Sequence, residues 1–218
     1  KQAALLTLGQ LPVQHSQGLF DALLLKMADG SLAPDLYLEL GDAIDSTRAP
    51  ALIARYKDIS SKVSPDKLTA AYSGSLSGGD ADRGRNIFFQ NQNAQCLKCH
   101  AYDDLGGNAG PRLNGVAARI TRPQILEALI APSARLAPGY GVVTLTLKDG
   151  KTVSGLLQGE SKTAITLKAG NGAAEVVPKT QITKRVNAES SMPDMKAILS
   201  KKEIRDVVSF LSTLKENE

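Results

Sequence analysis

The sequence predicts a mainly α-helical protein that carries a small β-rich insertion in its second half. Apolar residues recur with a helical period over residues 1–73. The same period returns in two capped amphipathic segments, near residues 80–90 and 200–214. Between these segments, residues 139–187 change to the alternation of apolar and polar residues that is typical of strands, with turn residues in the gaps.

The composition argues against two classes of function. A chain of 218 residues is long enough for one large or two small domains, and its hydrophobic content of 42% is ordinary for a folded protein. No apolar run approaches the roughly eighteen residues that a membrane span needs. The net charge is +4, with both signs interspersed, and no basic run is interleaved with aromatic residues. We therefore expect neither a membrane span in this chain nor nucleic-acid binding.

Residues 1–75 are predicted to form a helical domain. Five short segments show helical periodicity: residues 3–11, residues 19–27 with Gly30 as the stop, and residues 34–44, 50–59 and 65–72. Short amphipathic helices joined by short turns are typical of an α-solenoid, and the stretch QAALLTLGQL resembles a HEAT-repeat helix. A generic helical bundle is the alternative interpretation.

A second domain is predicted to begin after residues 73–79. That stretch, SGSLSGG, is small and polar, and we interpret it as a flexible linker. Asp80 then provides an N-cap for a helix in which Gly84 and Phe88 share one face. A glycine in the middle of a helix costs about 1 kcal/mol relative to alanine. We therefore expect Gly84 to mark the close approach of another helix.

The expected partner of that helix is the last helix of the chain. Ser200 and Glu203 have the spacing of a capping box. Behind them lies one apolar stripe, formed by Ile204, Val207, Val208, Leu211 and Leu214. A further helix is predicted between Thr121 and Pro132. The first and last helices of this domain are thus predicted to cross at Gly84.

The insertion, residues 139–187, is predicted to contain five short strands. They are expected at residues 142–147, 152–158, 164–167, 175–177 and 181–186. Lys148, Asp149 and Gly150 provide the turn residues of a hairpin. Five short strands in about fifty residues indicate a small barrel-like module.

The strongest functional signal is the hexapeptide QCLKCH, residues 95–100. The chain has only two cysteines and two histidines, and three of these four residues lie in this hexapeptide. The pattern C-x-x-C-H is the motif of c-type haem attachment. On a helical turn Cys96 and Cys99 share a face, so both thiols can add to the vinyl groups of one haem. The imidazole of His100 can then ligate the iron.

Three other interpretations of the motif remain open. A zinc site would need two further ligands, and only His15 remains, about eighty residues upstream. A dithiol redox motif of the thioredoxin type should follow a strand, whereas the segment before Cys96 is polar and helical. A disulfide between Cys96 and Cys99 is the third alternative. Covalent haem is the interpretation that uses all three residues of the motif.

The second axial ligand of such a haem has four candidates: Met27, Met192, Met195 and His15. Met192 precedes Pro193 just before the terminal helix, and proline there fixes φ and removes a donor, as suits an irregular ligand loop. A thioether is a soft, neutral ligand that favours ferrous iron and raises the potential. We predict Met192, with Met195, His15 and an open site as alternatives.

Taken together, residues 80–214 resemble class I cytochrome c. The likeness is carried by Gly84 and Phe88, by CLKCH, by Gly110 and Pro111, by Met192 and Pro193, and by a terminal helix ending VVSFLSTL. The resemblance implies that the carbonyl of Pro111 accepts a hydrogen bond from the imidazole of His100 and fixes its orientation. Ninety-two residues separate His100 from Met192, and the β-rich insertion accounts for the excess over a simple small cytochrome.

The insertion makes the chain similar to a narrower group, the haem-binding domains that end large exported proteins behind helical repeats and often a β-propeller dehydrogenase domain. Residues 132–155 and the stretch SSMP carry this likeness. The resemblance implies one haem c attached through Cys96 and Cys99, with His100 and Met192 as iron ligands. It also implies a periplasmic or otherwise exported location. Because the chain opens on Lys1 without a signal sequence, we expect a mature or excised fragment.

The expected function is electron transfer, by a carrier rather than an enzyme. The resemblance implies a redox protein partner on each side: a separate or fused dehydrogenase as donor and another electron carrier as acceptor. The expected organisation is a helical domain (1–75) and a cytochrome c domain (76–218) with the β-rich insertion (139–187) inside it. Two alternatives are a haem enzyme or gas sensor with an open sixth site, and an interaction scaffold in which haem is structural.

Overall fold

The computed structural model describes residues 1–63 and 70–216. The protein is about 48% helical and contains a five-stranded antiparallel sheet, so the fold is mixed α and β. At this level the prediction of a helical protein with a β insertion is confirmed. Across the described part of the chain, every helix is too short or too polar to cross a membrane.

Four α-helices and a 3-10 helix form residues 1–63. They are α1 (Gln2–Leu8), α2 (Val13–Ala28), the 3-10 helix Pro34–Leu36, α3 (Tyr37–Thr47) and α4 (Pro50–Val63). These are the first four predicted helices, although α1 ends earlier than predicted. Its last residue is Leu8, and a Cβ on the next residue, Gly9, would lie 2.5 Å from the carbonyl oxygen of Ala43. Phe20, Leu24 and Met27 of α2 are fully buried in the core of this region.

The fifth predicted helix, residues 65–72, lies mostly outside the described residues. The described chain resumes in a 3-10 helix, Ala70–Ser75.

Residues 73–79 pack closely between α3 and the last helix of the chain. The side chain of Ser75 is fully buried, and its Oγ donates a hydrogen bond to the carbonyl oxygen of Lys201 at 2.9 Å. A Cβ on Gly74 would lie 2.9 Å from the backbone of Leu38. The interpretation of this stretch as a flexible linker is therefore wrong. Its residues are small because two helices approach it closely.

The second half contains five further α-helices among the described residues. They are α5 (Ala81–Gln90), α6 (Cys96–Cys99), α7 (Val116–Arg119), α8 (Arg122–Ile130) and α9 (Lys201–Leu211), with a 3-10 helix at Met195–Ala197. As predicted, the carboxylate of Asp80 caps α5 by accepting a hydrogen bond from the backbone N–H of Arg83. The predicted capping box of Ser200 and Glu203 begins α9.

Helices α5 and α9 cross at Gly84, as predicted. A Cβ on Gly84 would lie 1.9 Å from the carbonyl oxygen of Asp206 and 2.9 Å from the Cβ of Phe210, so only glycine fits there. One turn later, Phe88 is 2% exposed, and its ring centroid lies 5.6 Å from that of Phe210. The contact places the first and last helices of this half around one hydrophobic core.

The insertion is one antiparallel sheet with the strand order β4-β3-β2-β1-β5. Its strands are β1 (Val142–Leu147), β2 (Thr152–Glu160), β3 (Ala164–Lys168), β4 (Ala174–Pro178) and β5 (Ile182–Asn187). All five predicted strands are present, within a few residues of the expected bounds. Alternate residues of β1, such as Val143 and Leu145, face a core that belongs to the sheet itself. Strand β5 returns beside β1, which brings Asn187 back to the base of the insertion.

Candidate cofactor site

The two cysteines are the first and last residues of α6, a single helical turn. Gln95 precedes this turn in the left-handed conformation (φ 44°), which redirects the chain into α6. The backbone N–H of His100 donates to the carbonyl oxygen of Cys96 at 2.9 Å and closes the turn. The two cysteines are not joined by a disulfide, and burial raises the pKa of the Cys96 thiol to about 11. The predicted spacing of three residues thus places both sulfur atoms on one helical turn.

A hydrogen bond fixes the orientation of the His100 ring. Its Nδ1 lies 2.8 Å from the carbonyl oxygen of Pro111, so Nδ1–H donates and Nε2 keeps its lone pair. Burial lowers the pKa of His100, and the hydrogen bond to Pro111 partly opposes this effect. A neutral imidazole with an unprotonated Nε2 is the form that ligates a metal. The hydrogen bond that the resemblance implied is therefore present in the structure.

A glycine-rich loop after the motif fits closely around it. A Cβ on Gly110 would lie 2.7 Å from the Cε1 atom of His100, so the imidazole rests directly on this glycine. A Cβ on Gly107 would lie 2.2 Å from the carbonyl oxygen of Lys98, and one on Gly106 would lie 2.2 Å from that of His100. Sequence reasoning used Gly110 but missed Gly106 and Gly107. Three glycines in the five residues 106–110, shortly after the motif, were the available signal.

Met192 lies on the hydrophobic core that Cys96 also contacts. Its side chain is half-buried, and it belongs to the partly buried residues that pack against the core of α5, α8 and α9. Met195 is 2% exposed inside the same core, and Met27 is fully buried in the separate core of the N-terminal helices. His15 is exposed on α2. Partial exposure therefore distinguishes Met192 from the two buried methionines.

The three motif side chains do not form a metal site made of protein ligands alone. Within residues 1–63 and 70–216, no group of three or more Cys, His, Asp or Glu side chains could by itself hold a metal ion. A structural zinc site needs four converging ligands, whereas haem takes sulfur at its edge and nitrogen at its centre. The segment before α6 is a helix followed by the turn at residues 91–95, rather than the strand that a thioredoxin-type motif follows. The donor set and its surroundings therefore fit haem.

No protein-family model matches the sequence, and no curated protein matches it either.

Proposed function

We propose that residues 76–218 form a covalent haem c domain whose function is electron transfer. The observation that carries this proposal is the held imidazole of His100, which donates from Nδ1 to Pro111 at 2.8 Å and rests on Gly110. A hydrogen bond of this kind fixes the orientation of a ligating imidazole and raises its basicity. Cys96 and Cys99 would hold the haem through thioethers, and Nε2 of His100 would ligate the iron. The bound haem supplies one-electron chemistry between ferric and ferrous iron.

Met192 would supply the second iron ligand. It is the half-buried methionine on the core that Cys96 contacts, whereas Met195 and Met27 fill buried positions. Pro193, directly after it, restrains the backbone of the loop. A thioether in this position raises the potential by favouring ferrous iron. The pair of His100 and Met192 would make the iron low-spin and would leave no open coordination site for substrate.

Two finer features of the fold belong to the proposal. The crossing of α5 and α9 at Gly84 supports a class I cytochrome c fold for residues 80–214, with the five-stranded sheet as an insertion. In the N-terminal region α1 packs on α3 and α2 packs on α4. Contact between alternate helices is the pattern of stacked two-helix repeats, and it supports a HEAT-like domain over residues 1–75.

The proposed partners are redox proteins. A dehydrogenase, separate or fused to this chain, would supply electrons, and a second carrier would accept them. Such contacts are small and transient, because a carrier must leave one partner to reach the next. The proposed location is the periplasm or another exported compartment, where c-type haem is attached.

The test is an absorption spectrum, oxidised and reduced, of protein matured in a host that attaches haem c during export. We expect low-spin haem that remains on the protein in acid-acetone and a mass increase of one haem. The control variant, Cys96→Ser with Cys99→Ser, should release any pigment on extraction because no thioether can form. If extraction removes the pigment from the unaltered protein, or if no haem mass is found, the proposal is wrong.

The same preparation separates the two alternatives. High-spin iron or rapid CO binding would favour an enzyme or gas sensor with an open sixth site. Low-spin haem that exchanges electrons with no dehydrogenase would favour a scaffold in which haem is structural.

A further inference from the structure

A chain of hydrogen bonds ties the β insertion to the loop that carries Met192. Asn187, the last residue of β5, donates from Nδ2 to the carbonyl oxygens of Ser133 at 2.9 Å and Ala134 at 3.0 Å. The Oγ of Ser133 accepts the backbone N–H of Ser190 at 3.0 Å. The Oγ of Ser190 then accepts the backbone N–H of Met192 at 3.1 Å. The hydrogen bonds therefore link the end of β5 to the backbone of Met192 by way of Ser133 and Ser190, each of which takes part in two of them.

Charged residues of the sheet set the direction of the Asn187 amide. Arg185 donates from Nε to Oδ1 of Asn187 at 2.8 Å, and from Nη1 to Glu160 at 2.7 Å. Lys179 contacts the other carboxylate oxygen of Glu160 at 2.6 Å. Because Oδ1 of Asn187 faces a guanidinium, which can only donate, its Nδ2 must face the two carbonyls beyond. The orientation of the first link in the chain is thereby determined.

The loop of residues 188–194, which carries Met192, is loosely packed on one side. There it borders a depression of about 410 Å³ whose lining includes Ile130, Pro132 and Ser190 as well as Met192 itself. Ser133 and Ser190 also line this depression, so their hydrogen bonds restrain the loop at its less tightly packed edge. A loop ordered in advance loses less conformational entropy when its side chain forms a bond.

We propose that the β insertion positions the sulfur of Met192 through this hydrogen-bond chain, with Ser133 and Ser190 as positioning residues. The inference rests on the proposed function, because it takes Met192 to be the sixth ligand. It also gives the insertion a role within the domain: the strand that ends at Asn187 is a support for the methionine loop. A loss of either hydroxyl would favour the dissociated methionine roughly three- to tenfold, which is the effect of one ordinary hydrogen bond.

The experiment compares haem-loaded variants of the full chain. Ser133→Ala and Ser190→Ala each remove one link, and Ser133→Thr keeps the hydroxyl. The matched control is Ser154→Ala, which removes a hydroxyl that lies 2.9 Å from the Oγ1 of Thr144 on the exposed face of the sheet. Three properties are measured: the long-wavelength ferric band that reports methionine–iron bonding, the affinity of ferric haem for added imidazole, and amide hydrogen exchange at residues 190 and 192.

We expect Ser133→Ala and Ser190→Ala to weaken the band and to bind imidazole roughly three- to tenfold more tightly, with faster exchange at the amide that lost its acceptor. Ser133→Thr and Ser154→Ala should behave like the unaltered protein. If the unaltered protein shows the methionine band and both alanine variants match Ser154→Ala in all three properties, the positioning role is wrong while the proposed function stands. If the unaltered haem protein lacks the band, the assignment of Met192 and this inference both fail.

Discussion

Arg205 and Glu39 form a buried ion pair that joins α9 to α3. The guanidinium donates from Nη1 and Nη2 to the two carboxylate oxygens at 3.0 and 2.7 Å, and the side chains are only 4% and 3% exposed. The Nε of Arg205 is buried and has no hydrogen-bond partner in the described part of the chain. Both charges are thus removed from water, and each depends on the other for compensation.

Removal of one partner of this pair should be far more costly than removal of both. Glu39→Ala leaves the Arg205 charge buried without a carboxylate and should lower the free energy of unfolding by about 3–5 kcal/mol. Glu39→Leu with Arg205→Met removes both charges and should cost much less. Urea denaturation of the haem-loaded protein measures both effects. Equal losses in the single and the double variant would contradict this account.

An exposed pair between the same two helices provides the control. Lys202 and Asp42 lie 3.0 Å apart with side chains 41% and 38% exposed, so Lys202→Ala should change the free energy of unfolding by about 1 kcal/mol or less.

Gly84→Ala should destabilise the protein although alanine is the better helix former. The new Cβ would lie 1.9 Å from the carbonyl oxygen of Asp206, and this backbone atom cannot rotate away as a side chain could. The two helices would have to separate, at a cost of about 1–3 kcal/mol or more. Gly18→Ala in α2 is the matched control, because nothing lies within 4 Å of its Cβ position. The control should stabilise the protein by about 1 kcal/mol or less. Thermal unfolding of both variants tests whether their stabilities change in opposite directions.

Gly110→Ala should disturb the proximal side of the haem. Its Cβ would lie 2.7 Å from Cε1 of His100 and would push the imidazole off its hydrogen bond with Pro111. We expect less haem incorporated during maturation and a larger high-spin fraction in the protein that forms. Gly159→Ala in β2, where nothing lies within 4 Å of the Cβ position, should leave the spectrum unchanged. A normal low-spin spectrum in Gly110→Ala would show that the close contact is relieved without displacement of the ring.

Met192 and Met195 should respond to substitution in opposite ways. Met192→Ala should lower the midpoint potential and open the iron to added ligands, with a modest effect on unfolding. Met195→Ala should keep the long-wavelength ferric band that reports methionine ligation. It should lower the free energy of unfolding by about 2–5 kcal/mol, because Met195 is 2% exposed in the core. Spectra and urea denaturation of the same samples separate the two roles. If Met195→Ala loses the band and Met192→Ala keeps it, the ligand is Met195 rather than Met192.

Local patterns were enough to predict much of the fold and the centre of the site. The capped stripe of α9 and the alternation in β1 are short-range signals that each element carries in its own residues. Gly84 could be assigned to a helix crossing because a glycine in the middle of a helix has a cost that packing must offset. The motif of Cys96, Cys99 and His100 could be recognised because rare residues stand at a spacing that one cofactor requires.

Residues 73–79 show why composition can mislead. Small polar residues allow a flexible chain, but they also allow close packing, and only neighbours that are distant in sequence distinguish the two. Leu38, which meets Gly74, lies more than thirty residues before it, and Lys201, which accepts the hydrogen bond of Ser75, lies 126 residues after it. No local pattern contains that information.

The sequence by itself determined most of the helices, the five strands, the motif of residues 95–100 and the candidate ligands, because periodicity, caps and motif spacing act within a few residues along the chain. Tertiary structure alone decided that Arg205 meets Glu39 across 166 residues, that β5 returns beside β1, and that Asn187 meets Ser133 across 54 residues. These contacts join residues whose separation along the chain carries no signal. They are determined by the shapes and charges that meet when the two helical regions and the sheet pack together.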